Sequence, residues 1–500
     1  MLRKILILSV ISLLLFSGTV QSQDNILNYA ASSEVVGLSP ILTNDQVTSD
    51  VLSQVYDTLF VRNPETNEIE PNLAVDYEAI DDETWEIKLR EGVEFHDGSP
   101  FNAEAVKFTL ERIADPEVGS PRASLVDPIE SIEVEDEYTV IIKTKYPYGP
   151  FLATLTHGNS AIVSPKAVEE HGDLMQNAAG TGPFMVDEWV SGDHISLKRN
   201  ENYWGEMGNL DGITYKIVPE ASTRLAMLES GEIDFLDQIP PEHFDRLKNN
   251  PDIDIKIQEG TPIRYFGFNF EKEKFNNDLV RKAVAHAIDQ EAIVSTLNNL
   301  GYKSHGILGP RVFGYKEEIE QSGFEYDLDK ARELLAEAGY PDGFSTTIWS
   351  NSSDSHYKRI PEIIQAELEK IGIDAEIKMQ EWGSYLSATQ EGEQDMFLLG
   401  WSNLTADGSE MFYPNLHSDS IGGANRSFYD GADEYIDPTR TTVDQEERLE
   451  LLHEANEFLV EEAVMIPLFH QNIVVATRNN VSGLHVQPNG EWEVKDVVLE

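Results

Sequence analysis

The chain has 500 residues, 40% hydrophobic and 25% charged, which supplies apolar material for two or three packed domains and excludes fibrous and collagen-like classes. Asp and Glu number 89 against 37 Lys and Arg, a formal charge of −52 that argues against nucleic acid as a partner. Cys is absent, which excludes disulfide frameworks, thiolate metal sites, Cys nucleophiles and lipid attachment through an N-terminal Cys. The acid is spread along the chain, so it reads as a solvated, halophilic surface whose self-repulsion salt would screen.

The first residues read as a secretory signal peptide, 1–22. Arg3 and Lys4 form a positive n-region, Ile5 to Phe16 an apolar run, and Val20 and Ser22 suit the −3 and −1 positions, which puts cleavage after Ser22. That run is too short to span a bilayer, and nothing later approaches ~20 consecutive apolar residues. Removing the leader's two bases takes the charge from −52 to −54.

A strand is expected at Ile26 to Ala30, then a loop from Ser32 to Pro40 and a helix over Val47 to Phe60, where Val51, Leu52, Val55 and Leu59 recur at helical spacing. Trp85, Ile87 and Leu89 alternate with charges in a half-buried strand. Asp97-Gly98 is a turn, and Asn102 caps a helix with Val106, Leu110 and Ile113 inside. Val134 to Thr144 reads as one strand. Gly180-Thr181-Gly182-Pro183 breaks the chain before strands at Phe184 to Trp189 and Ile213 to Val218. A helix at Ser222 to Glu229 is ended by Gly231, and another strand begins at Ile233.

In the second half, Arg264 to Asn269 is a strand and Asp278 to Ile288 a helix. Asp327 caps a helix with Ala331, Leu334, Leu335 and Ala338 inside, stopped by Gly339 and Pro341. Strands at Phe344 to Trp349, Ala375 to Met379 and Met396 to Trp401 surround a helix at Pro361 to Ile371. A helix at Glu446 to Val460 precedes strands at Ile466 to His470 and Val474 to Ala476. Strand–helix–strand alternation in both halves predicts an α/β fold.

Motifs of chemistry are missing. There is no G-x-x-x-x-G-K-[ST] phosphate cradle and no G-x-S-x-G nucleophile elbow. Gly180-Thr181-Gly182 lacks the third glycine of a dinucleotide fingerprint. His453-Glu454 lacks the second His of a zincin, because position 457 is Glu. The sequence nominates no catalytic residue, cofactor or metal.

Seven segments, in order, resemble the family-5 extracellular solute-binding proteins of ABC importers. They are KLREGVEFHDGSPFNAEAVKFTLER from Lys88, GTGPFMVDEW from Gly180, NENYWG from Asn200 leading into STRLAMLESGEID, VRKAVAHAID from Val280, YDLDKARELLAEAGYPDGF from Tyr326, LLGWS from Leu398 and IPLFH from Ile466. NAEAVK at Asn102, LATLTHGNSAIVSP at Leu152, GFSTTIWS at Gly343 and HVQPNGEWEVKDV at His485 are most similar to the glutathione-binding branch.

The resemblance implies a two-lobed periplasmic-binding-protein fold with a hinge: lobe I from 23–48, 182–263 and 473–500, an inserted subdomain of lobe I at 49–181, and lobe II at 264–472. It implies a free periplasmic monomer that captures a small peptide-like solute and delivers it to a membrane-embedded ABC permease, without chemistry. A nickel or metal-chelate receptor of the same family is the alternative, and a secreted peptidase or hydrolase the alternative from another class. Asp407 lies where family members offer a carboxylate to a ligand amine. Arg264, amid Ile263, Tyr265 and Phe266, would meet a ligand carboxylate or an internal acid. Trp401 and Trp349 would wall the pocket, with Ser33, Glu34, His157, Ser350, Asn351 and Tyr429 on facing loops.

Overall fold

A computed structural model describes residues 25–321, 323–352 and 356–500. The leader reading at 1–22 lies outside them.

The organising elements are two long strands, Ile253–Phe268 and Met465–Arg478, paired antiparallel along nearly their whole lengths. Their register breaks between Glu259 and Ile263. On one side of that break the sheet continues through Phe235–Leu236, Ile26–Ala31, Gly212–Ile217, His194–Arg199 and Phe184–Val190. On the other it continues through Met396–Trp401, Phe344–Asn351 and Ile373–Gln380. Two halves of one mixed sheet are therefore joined through the two crossing strands, each half with its own packed core. Leu27, Tyr215 and Trp492 belong to the first core, and Phe266, Phe397 and Leu468 to the second. We call these bodies the first and second lobes. At the crossing point Thr261 Oγ1 donates to the Asn403 carbonyl (2.7 Å) and its N–H to the Pro488 carbonyl (2.8 Å), so the register break touches loops of both lobes.

The first lobe carries a separate antiparallel sheet of Ala74–Asp81, Thr84–Leu89, Thr139–Thr144 and Ile129–Asp136. Alternation in TWEIKL buries Trp85, Ile87 and Leu89. Helix Ala103–Ala114, capped by the Asn102 side chain accepting from the Ala105 N–H (3.2 Å), buries Val106, Leu110 and Ile113 in the same core.

The expected α/β class and most elements are present, and several bounds change. Helix Gln46–Leu52 stops well short of Phe60. The Gln54 and Val55 carbonyls accept instead from the Phe184 and Gly182 N–H groups (both 3.0 Å), which turns the chain outward. Val134 to Thr144 is not one strand but a hairpin: the Asp136 carboxylate accepts from the Tyr138 N–H (2.8 Å) and closes the turn. The helix expected from Pro361 begins at His356 and carries Pro361 inside. Ile466 to His470 and Val474 to Ala476 are parts of one strand. No helix among the described residues is long and apolar enough to cross a membrane.

Candidate functional site

A cleft of about 1160 Å³, including its open mouth, lies between the first lobe and the second-lobe loop at Leu404 and Ala406. Its floor is the turn Ser53 to Thr58 together with the C-terminal segment Gln487 to Lys495, and its walls include Thr156, Gly158 and Asn159. The Gly180-Thr181-Gly182-Pro183 break is what positions this floor. A Cβ on Gly180 would stand 2.1 Å from the Val55 carbonyl oxygen, and one on Gly182 2.6 Å from the Val55 carbonyl carbon. Only glycine lets the two segments touch, so the motif serves close backbone approach. Asn159 holds the wall by donating to the Pro40 (2.6 Å) and Thr43 (2.7 Å) carbonyls.

The lining is polar and mixed in charge. Burial pushes the Asp57 carboxyl above its ordinary value, against hydrogen bonds from Trp204 Nε1 (3.1 Å) and Thr181 Oγ1 (2.8 Å). Lys495 lies 3.5 Å from Glu493. Burial lowers the Arg62 guanidinium to about 10, while Asp407 and Glu410 favour its charge. Burial also raises Glu491, whose Oε2 accepts from Asn489 Nδ2 (3.0 Å). Among the described residues, no three His, Cys, Asp or Glu side chains converge as a metal site.

Polar contacts cross from lobe to lobe around the cleft. The hairpin of Phe60–Arg62 and Ile69–Pro71 lends Val61, Arg62 and Asn67 to its lining. Arg62 Nε donates to the Thr405 carbonyl, and its Nη1 to the Asn67 carbonyl (2.8 Å). Asn67 Nδ2 donates to the Arg311 carbonyl (2.8 Å), and Arg311 Nη1 returns a bond to the Glu65 carbonyl (2.7 Å). At the floor, Asn489 Nδ2 reaches the Leu404 carbonyl (3.4 Å).

None of the ten residues expected to bind solute borders this cleft. Five gather beside it, at one edge of the second lobe's sheet. Trp349, Ser350 and Asn351 end one strand, Trp401 ends the strand parallel to it, and Arg264 pairs beside Gly400. The Arg264 side chain lies across Gly400, where a Cβ would meet its Nη1 at 2.5 Å. Carboxyl ends of parallel strands are where open α/β sheets place ligands. Trp401 leads within three residues to Leu404 in the cleft wall, and its buried Nε1 has no partner. Trp349 Nε1 instead donates to Thr347 Oγ1 (2.9 Å), and Lys378 stands over its ring.

The others are engaged elsewhere. Asp407 is 2% exposed, and Arg448 grips both its oxygens (2.5 and 2.8 Å). Burial pushes its carboxyl up, but Arg448 outweighs this and holds it below its ordinary value. Asp407 also caps helix Gly408–Leu416. Its carboxylate serves this internal ion pair. Ser33 borders a small apolar cavity with Val35 and Trp189, and Glu34 accepts from Trp189 Nε1 (3.2 Å). Tyr429 packs on Phe270, 4.6 Å between centroids. His157 is buried between the lining residues Thr156 and Gly158. Its Nδ1 accepts from the Asn159 N–H (3.1 Å), Nε2 has no partner, and burial lowers it to about 3.

The family model described as "Bacterial extracellular solute-binding proteins, family 5 Middle" matches residues 68–423, well over half of the chain. The chain belongs to this family. Among curated family members, it is 32% identical to the glutathione-binding protein GsiB of Shigella dysenteriae over 99% of this chain and 98% of that one. It is 33% identical to GsiB of Salmonella typhi over 94% of each. Among solved structures of similar proteins, HbpA2 from Haemophilus parasuis superposes with a TM-score of 0.87 at 30% identity, covering 95% of this chain and 100% of that one. DppA from Helicobacter pylori, a periplasmic binding protein in complex with the peptide STSA, gives 0.79 at 32% identity, covering 95% and 98%.

The cleft residues that the sequence did not single out are Asp57, Arg62, Asn489, Glu491 and Lys495. Asn489, Glu491 and Lys495 lie inside the HVQPNGEWEVKDV stretch used above as a family mark, so the signal was present without its role. Arg62 had no signal, because the hairpin that aims it is set by contacts with the other lobe.

Proposed function

We propose that this family-5 solute-binding protein captures a small peptide-like solute, glutathione or a di- or oligopeptide, and delivers it to an ABC permease. One observation carries the reading: a large cleft at the seam of two lobes, lined by carboxylates, cations and amides together. A peptide's termini need a partner for each buried charge, and its amide groups need donors and acceptors, which such a lining provides. Relatives that cover nearly the whole chain and are named for glutathione or peptide binding support the same solute class. The solute would extend from the cleft to the sheet edge at Trp401, Arg264, Ser350 and Asn351, with Arg264 facing a ligand carboxylate.

The chain would work in the periplasm after removal of residues 1–22, as a monomer, and would leave its solute chemically unchanged. The test is a melting-temperature screen of the mature protein, since a ligand that binds only the folded state raises Tm. Glutathione or short peptides should give the shift, and Arg264→Ala should shrink it. Shifts with sugars or metal chelates alone would overturn the solute class.

A further inference from the structure

With both Asp407 oxygens held by Arg448, that carboxylate is committed within the second lobe. Three carboxylates line the cleft, and they differ in what they already hold. Asp57 accepts from Thr181 and Trp204, and Glu493 has Lys495 beside it. Glu491 holds only the Asn489 side-chain amide, and among the described residues no cation lies within 4.0 Å of it. Its other oxygen, Oε1, stands over Gly158 and is the nearest atom to where a Cβ there would be, at 4.0 Å. The burial that raises its carboxyl disfavours the bare anion. A ligand cation there would restore the balance.

We propose that Glu491 anchors the solute's free ammonium, and that Asn489 couples this contact to lobe closure. The coupling is geometric. Asn489 Oδ1 accepts from the Glu491 N–H (3.0 Å), while its Nδ2 donates both to Glu491 Oε2 and across the seam to the Leu404 carbonyl. An ammonium drawn to Glu491 thus binds the carboxylate that Asn489 already ties to the second lobe. Gly158 leaves room for the amine, since any larger residue would project its side chain toward Oε1. The inference rests on the peptide reading above and names its specificity determinant.

The test compares glutathione with N-acetylglutathione by equilibrium titration on wild type and Glu491→Gln, with Tm checking that the variant folds. Truncating one partner of a buried charge pair weakens binding by about 30-fold or more. Wild type should prefer glutathione by that margin, and Glu491→Gln should lose the preference by weakening glutathione alone. Equal affinity of wild type for both ligands overturns the anchor, and that comparison needs no variant. Unchanged glutathione affinity in a folded Glu491→Gln overturns it too, as does an equal loss for both ligands. Failure of wild type to bind glutathione or any di- or oligopeptide overturns the peptide reading itself.

Discussion

Asp407 and Arg448 are 2% and 1% exposed, and each satisfies the other. Removing one partner strands a buried charge, so Asp407→Ala should cost about 3–5 kcal/mol of folding stability by urea unfolding. A loss of solute affinity at unchanged stability would contradict that assignment. Asp50 presents the opposite case. It is buried, accepts from Gln46 Nε2 (2.8 Å), and has one oxygen without a partner. Burial first, then repulsion from Asp237, raises its carboxyl well above the ordinary value, and Asp237 itself is raised by burial. The folded state therefore binds more protons than the unfolded chain between an ordinary carboxyl pKa, about 4, and the raised one. Stability from this site falls as pH rises through that window. Asp50→Asn removes the penalty, so Tm should increase at pH 8, and the gain should fade toward pH 4. A lower Tm at pH 8 would contradict this. None of these roles was legible in the residues themselves. An Asp beside a buried strand reads the same whether it meets a ligand amine or an Arg 41 positions away.

At the level of elements, strands and helices with local signals were readable. Asn102, Asp327 and Asp444 cap their helices through their own side chains, and TWEIKL alternates as its burial does. What sequence missed was set by distant partners. Helix Gln46–Leu52 ends early because Gly182 and Phe184 claim its next carbonyls, and no window around Val55 contains that fact. The hairpin lining the cleft is a second instance, since its tip is fixed by Arg311 and Thr405. Opening the lobes to release a solute would have to break those bonds. Asn67→Ala, which removes the bond to Arg311 from the hairpin tip, should therefore speed solute release several-fold in stopped-flow with little change in association rate. An unchanged release rate would show that the hairpin does not help to hold the lobes together.

The whole molecule carries −52, and among the described residues few of its acids are buried. Raising salt shortens the screening length from ~10 Å at 0.1 M to ~3 Å at 1 M, so Tm should climb with NaCl through that range. A flat profile would remove the halophilic reading. Fold class was legible at this scale because seven family-like segments run in order along the chain, while the cleft was not, since it forms between segments as far apart as Gln54 and Glu491. The central claim is that the lobes close on a peptide-like solute. Calorimetric titration of the mature protein with glutathione and a panel of di- and tripeptides tests it most directly. Saturable binding of one solute per chain by at least one of them is the predicted result, and no binding by any of them, with binding of a sugar or metal chelate in its place, would contradict it.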